Sequence, residues 1–331
     1  MSTVVAGGLL LGVLAYAVFG GADFGAGFWD LTAGGADRGR AARARIDHSL
    51  APVWEANHTW LIYCLVVFWS AFPAAFAAVM TTMYLPLGLA AFGIVLRGSG
   101  FAFRKAVLRT SQQRLGGAAF AASSVITPFF FGAVGGGIAS GRVPAGGHGD
   151  PVHSWLNPMS VLTGGLAVAV CAYLAAVLLA ADARREGDGP LEAWFRRRAW
   201  LAAWFSGAMA LGGLVGARAD APRLFGRLFG EALPLTALSV LSGGAALLLV
   251  RRASPRVVRY LAGGAVGALV LAWGSGQYPY LLGDHTTIES AAAPQSSLAT
   301  LTAVFGLAVL LVVPSLALLY VLQQRAHLED T

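Results

Sequence analysis

Residues 4–31 read VVAGGLLLGVLAYAVFGGADFGAGFWDL, and no charged side chain precedes Asp23 in that run. At about 1.5 Å per residue such a helix is long enough to cross a hydrocarbon core roughly 30 Å thick. Ala15-Tyr16-Ala17 has the small-residue form of a signal-peptidase site. Nothing positive precedes it in Met1-Ser2-Thr3, so the run reads as a spanning helix. The remainder of the chain repeats the pattern: 57% of the 331 residues are hydrophobic and 12% charged, against about 25% charged in ordinary soluble domains. A water-soluble core is excluded.

Hydropathy places nine spans, near 4–31, 53–78, 80–103, 115–139, 159–182, 199–217, 231–250, 257–280 and 298–323. Arginines alternate with them. Arg38, Arg40, Arg43 and Arg45 follow the first span, Arg104, Lys105, Arg109 and Arg114 the third, Arg184, Arg185 and Arg196 to Arg198 the fifth, and Arg251, Arg252, Arg256 and Arg259 the seventh. The opposite connections hold only Arg142, Arg218, Arg223 and Arg227. By the positive-inside rule the N-terminus is expected outside and the C-terminus in the cytoplasm. The fold class expected is an all-α polytopic membrane protein, two four-helix bundles plus a peripheral helix, forming a single integral membrane domain over 1–331. The net charge of +7 lies in these connections rather than on one aromatic-studded face, so no nucleic-acid partner is expected.

Polar groups within spans are costly, about 2.5 to 3.5 kcal/mol for a central charge, and few are present. Asp23 and Asp30 are seven residues apart, on nearly one helix face, with Asp30 falling at the interface. Asp23 has two readings: a packing acid hydrogen-bonded to a neighbour, or a proton-exchanging carboxylate. In PVWEANHTW (52–60), Glu55 and His58 share a face at i, i+3. Glu55 can be a first-turn acid matched to the helix dipole. Together with Asn57 and His58 it can equally form the mouth of a proton-uptake route. Arg97 can snorkel to the headgroups, or pair with Asp23 or a cofactor propionate. Gly21/Gly25 and Gly132/Gly136 have the small-xxx-small spacing of close helix contact. Cys64 and Cys171 have no metal-ligand spacing and read as packing residues. Trp273, Ser275, Gln277, Tyr278, Pro279 and Tyr280 read as an interfacial aromatic belt with a helix-ending proline.

No Walker A loop, HExxH, nucleophile elbow or CxxC occurs. A secondary transporter would also use membrane carboxylates, but the paired broken helices of inverted repeats are not evident.

The motifs GGADFGAGFWDL (20–31), APVWEANHTWLI (51–62), FPAAFA (72–77), GIVLRGSGFAFR (93–104), SSVITPFFFGAVGG (123–136), NPMSVLTG (157–164) and QYPYLL (277–282) occur in family order. They resemble subunit II of cytochrome bd-type quinol oxidases, including the related cyanide-insensitive oxidases. The resemblance implies a complex that oxidises quinol and reduces O2 to water, drawing protons from the cytoplasm and generating a membrane potential. Its haem b and haem d are expected mainly in subunit I, the partner of this chain in a bacterial cytoplasmic membrane. A small single-helix accessory subunit, lipid and quinone complete the expected partners. By the same resemblance Glu55 matches the acidic position of the family's proton path, where aspartate is frequent. Asp23 matches its intramembrane aspartate, with His58 beside the path. Trp60 matches a tryptophan near a proposed oxygen entrance, and Arg97 an arginine at the end of span three, expected to balance charge. No metal is expected on this chain alone, and it is not catalytic alone.

Overall fold

The computed structural model describes residues 1–35, 37–50, 54–106 and 110–329; the side chains at 50, 54–56, 101–106, 110–115, 312–313, 316–317 and 319–329 lie outside the description. α1 (Ser2–Ala15) passes through one π-helical turn (Tyr16–Gly20) into α2 (Gly21–Leu31), making one 30-residue span. A connecting helix, α3 (Arg40–Leu50), precedes α4 (Trp54–Ala71), α5 (Pro73–Thr82), α6 (Tyr84–Ala106), α7 (Thr110–Ala139), α8 (Pro158–Arg185) and α9 (Gly189–Asp220). The short α10 (Pro222–Leu228) leads to α11 (Leu233–Leu249) and α12 (Pro255–Gln277). A small antiparallel hairpin, β1 (Tyr280–Leu282) with β2 (Thr286–Thr287), then precedes α13 (Gln295–Glu329).

The chain is a multi-pass helical membrane protein. Among the described residues five helices are long and apolar enough to cross a membrane, or seven if each of two bent pairs counts as one span, with shorter apolar helices at Tyr84–Gly100 and Gln295–Leu311. Each of the nine stretches read from hydropathy falls on one of these helices or bent pairs, although by length and composition only five to seven count as spans. The largest departure is the expected span 53–78. Its helix stops at Ala71, Phe72 takes φ −136° and ψ 59°, and α5 leaves at 117° to the preceding axis. Pro73 is the cause: its ring disfavours helical geometry at the residue before it, and it starts a new helix well because it lacks an N–H. The expected span 231–250 is likewise preceded by a bent partner, α10 meeting α11 at 74°. The expected span 257–280 ends at Gln277, where the chain becomes extended and Tyr280 enters the hairpin rather than the helix.

Helix starts follow local chemistry. Asn157 caps α8, its Oδ1 accepting the Ser160 N–H at 2.9 Å, with Pro158 in the first turn. Asp188 caps α9 through the Leu191 N–H at 2.9 Å. α8 is the central element, packed against α2, α7, α9 and α12. One apolar core joins α2, α3, α8, α9, α11 and α12 around Trp29, Leu174 and Phe195; a second joins α1, α4, α5 and the hairpin around Phe72, Met83 and Leu282. The small-residue spacings are contact points. A Cβ at Gly25 would run into the Cys171 carbonyl of α8, and one at Gly132 would lie 2.5 Å from the Thr163 carbonyl.

Candidate functional site

Where α2, α6 and α7 meet, the interior holds a charged cluster. Arg97 of α6 has no solvent exposure, and Asp23 of α2 is 1% exposed. The guanidinium grips the acid in a fork: Nη2–H donates to Asp23 Oδ1 at 2.7 Å, and Nε–H to Oδ2 at 3.2 Å. Nη2 also donates to the Asp23 main-chain carbonyl at 2.8 Å, and Nη1 to Ser124 Oγ of α7 at 2.8 Å. Ser124 in turn donates to the Phe120 carbonyl at 2.9 Å, which leaves its lone pairs facing the arginine. The rings of Phe120 and Phe24 lie 4.2 and 4.9 Å from the guanidinium carbon. Gly27 makes the arrangement possible, because a Cβ there would collide with Ser124 Oγ. Both charges are thus desolvated and paired, the condition under which a buried ion is tolerated.

Arg97 therefore faces inward rather than snorkelling to headgroups. Asp23 serves as its counter-ion, with both carboxylate oxygens engaged. Asp30, expected at the interface, is 6% exposed and accepts from Arg43 Nε of α3 at 2.9 Å; Arg43 also donates to the Gly34 and Gly35 carbonyls that close the α2–α3 connection. Trp29 donates its indole N–H to the Ala172 carbonyl at 2.7 Å, tying α2 to α8.

The other expected residues lie on α4. Glu55 is in its first turn, but its side chain lies outside the described residues. Asn57 is buried and His58 half-buried. Trp60, also half-buried, meets Tyr63 edge-on at 6.5 Å, and Tyr63 packs on Phe305 of α13 at 5.8 Å. An apolar cavity between α1, α4 and α13 is lined by Val4, Val5, Gly8, Tyr63, Val67, Leu301, Thr302 and Phe305. Its lining offers a haem iron no histidine, cysteine or methionine, and Tyr63 is packed between Trp60 and Phe305. Among the described residues no three His, Cys, Asp or Glu side chains converge as metal ligands. Cys171 is buried and Cys64 half-buried, both as free thiols.

The structure thus unites Asp23 and Arg97 and keeps Trp60 in a separate aromatic group. Ser124 and Phe120 escaped the sequence reading. The signal for Ser124 was the Ser123-Ser124 pair inside an otherwise apolar helix.

The model for cytochrome bd terminal oxidase subunit II matches residues 1–323. The chain belongs to that family. Among relatives, cytochrome bd-I ubiquinol oxidase subunit 2 of Escherichia coli K12 is 28% identical over 135 residues, which is 40% of this chain and 35% of the relative. The same subunit from Escherichia coli O157:H7 matches to the same extent. The aligned stretch therefore spans about a third of the length of these relatives. The structure of bd oxidase from Geobacillus thermodenitrificans shares the fold, with a TM-score of 0.82, 24% identity, and coverage of 97% of this chain and 98% of that one.

Proposed function

We propose that this chain is the second subunit of a quinol:O2 oxidoreductase that works only with a haem-bearing subunit I in a bacterial cytoplasmic membrane. In that complex the haem b and haem d are held mainly by subunit I. Membership of the cytochrome bd subunit II family across residues 1–323 is the observation that carries this reading. On it the chain forms one membrane domain of nine spans, with the N-terminus outside and the C-terminus in the cytoplasm. A small single-helix subunit and quinone are further partners.

The chain's own contribution is access and support. Glu55, in the first turn of α4 on the side of the arginine-rich connections, takes up protons, and His58 one turn on continues the route toward Asp23. Trp60 lines the approach for dioxygen, and Arg97 balances the charge of Asp23. The fork geometry favours a second reading for Asp23 alone. With both oxygens engaged by Arg97, it holds the spans together and relays no proton.

The test is purification of the chain with its co-purifying partners, then a reduced-minus-oxidised spectrum and quinol-driven oxygen uptake for the wild type, Glu55→Gln and Asp23→Asn. Haem b and d bands with uptake slowed about tenfold or more in Glu55→Gln are expected, a general acid–base contribution being about 10² to 10⁴. Normal uptake in Glu55→Gln would refute the proton role, and a preparation without a haem-bearing partner would refute the oxidase reading. An assembled Asp23→Asn complex that retains wild-type uptake would assign Asp23 to support alone.

A further inference from the structure

Arg196 fastens the turn between α11 and α12 onto α9. Its Nε–H donates to the Val250 carbonyl at 2.9 Å and Nη2 to the Ala253 carbonyl at 3.1 Å, while Nη1 meets Glu192 at 3.0 Å. The clasp holds the 250–253 turn, which carries Arg251 and Arg252, against α9. The Arg251 guanidinium lies 4.0 Å from the centre of the Trp200 ring, and that of Arg198 lies 3.0 Å from the Trp194 ring.

These cations differ from their neighbours in lacking acids. Arg45, Arg184, Arg185 and Arg196 each pair with a glutamate or aspartate. Arg197, Arg251, Arg252 and Arg256 are exposed, and among the described residues none has a carboxylate at ion-pair distance. Arginine enrichment on one side of a membrane follows from topology alone. Arg38 and Arg218 are likewise exposed without an acid among the described residues, each by itself and Arg218 at the far end of α9, whereas topology does not explain why four such arginines lie near the start of α9 and on the one turn clasped to it.

What adjoins them decides the ligand. Arg197, Leu201 and Phe205 recur at four-residue spacing and so share a face of α9. Leu201, Trp204 and Phe205 are exposed at 51, 56 and 55%. Following α9 into the bilayer, the surface changes within one turn from unpaired guanidiniums to exposed aromatic and aliphatic side chains. A guanidinium fork matches phosphate oxygens, and the apolar step below matches acyl chains. Free phosphate would satisfy only the first half.

We propose that this edge, formed by residues 197–205 of α9 and the 250–256 turn, is a binding site for an anionic phospholipid. Its phosphodiester is held by Arg197, Arg251 and Arg252, and its acyl chain lies along Leu201 and Phe205. The site is independent of the oxidase reading.

The test uses the protein as purified from the membrane and delipidated in neutral detergent, with phosphatidylglycerol, phosphatidylcholine and inorganic phosphate as probes and native mass spectrometry as readout. Phosphatidylglycerol is expected to remain bound where phosphatidylcholine does not, and to dissociate as ionic strength rises. Each arginine removed should weaken retention about fivefold, and Arg251→Gln/Arg252→Gln about 25-fold, from the contribution of a basic residue at an anionic surface. Arg40→Gln, whose arginine pairs with Asp37 elsewhere, should leave retention unchanged. Equal retention of phosphatidylcholine, retention unaffected by the double variant or by salt, or displacement of the lipid by millimolar phosphate would each overturn the proposal.

Discussion

A guanidinium with no solvent exposure, as at Arg97, is stable only through what surrounds it, and each contact here has a distinct worth. Removing one partner of a buried pair leaves the other charge stranded, at about 3 to 5 kcal/mol. Arg97→Met and Asp23→Asn are each expected to destabilise the complex by that order and so lower its thermal midpoint, whereas Arg97→Met with Asp23→Leu together should recover most of the loss. Thermal unfolding in detergent across this double-mutant cycle checks it, and additive losses would contradict the pairing. Ser124→Ala should cost less, about 1 to 3 kcal/mol, since it removes one hydrogen bond to a charged donor. Arg97→Lys keeps the charge but loses the planar fork that serves the Asp23 carboxylate, the Asp23 carbonyl and Ser124 at once. It should resemble Arg97→Met more than the wild type.

Among the elements, α8 depends on a small polar knot at its start. Asn157 accepts the Ser160 N–H and donates to the His153 and Ser154 carbonyls and to Ser160 Oγ. Asn157→Ala should destabilise by about 1 to 2 kcal/mol, with faster hydrogen exchange over 157–161 and little change elsewhere. In the connection leading to it, Asp150 is held below the usual carboxylate range by the backbone N–H groups of His153 and Val152. A depressed acid contributes its stabilisation above its ordinary pKa and loses it as pH falls through the folded value. The 150–156 turn should therefore lose protection against hydrogen exchange, measured relative to the unstructured chain at each pH, as the medium is acidified and keep it in alkali, and Asp150→Asn should remove that pH dependence. Elements were also where sequence reading was least complete. The bend after Ala71 was signalled by Pro73, yet hydropathy averages over a window that one ring cannot change. The hairpin at Tyr280 was hidden in the same way, because an aromatic belt and a short strand share a composition.

Across the whole molecule the class was legible because the bilayer is a severe solvent. It demands long apolar helices and expels charge, so composition and arginine spacing alone reveal a membrane protein. The long-range partners were not legible. Asp23 and Arg97 stand 74 residues apart, and sequence reading left their pairing as one option among several; the Ser124 and Phe120 walls depend on how α6 meets α7. The outer surface follows the same logic. Leu241 and Leu248 are 71 and 75% exposed on α11, as lipid-facing residues should be. Leu241→Arg should cost about 2.5 to 3.5 kcal/mol in membrane insertion, whereas Leu241→Phe should insert as well as the wild type; glycosylation-mapping of insertion efficiency separates the two. The close glycine contacts of α1 with α4 and of α2 with α8 have a further consequence, one that concerns heredity. A side chain added at Gly12 would press on the ring of Tyr63, so a second change at Tyr63 can restore the fit, and revertants of Gly12→Ala should be found there. At Gly25 the obstacle is the main-chain carbonyl of Cys171, which every amino acid carries. No substitution at 171 removes it, and a selection for suppressors of Gly25→Ala should return the original glycine.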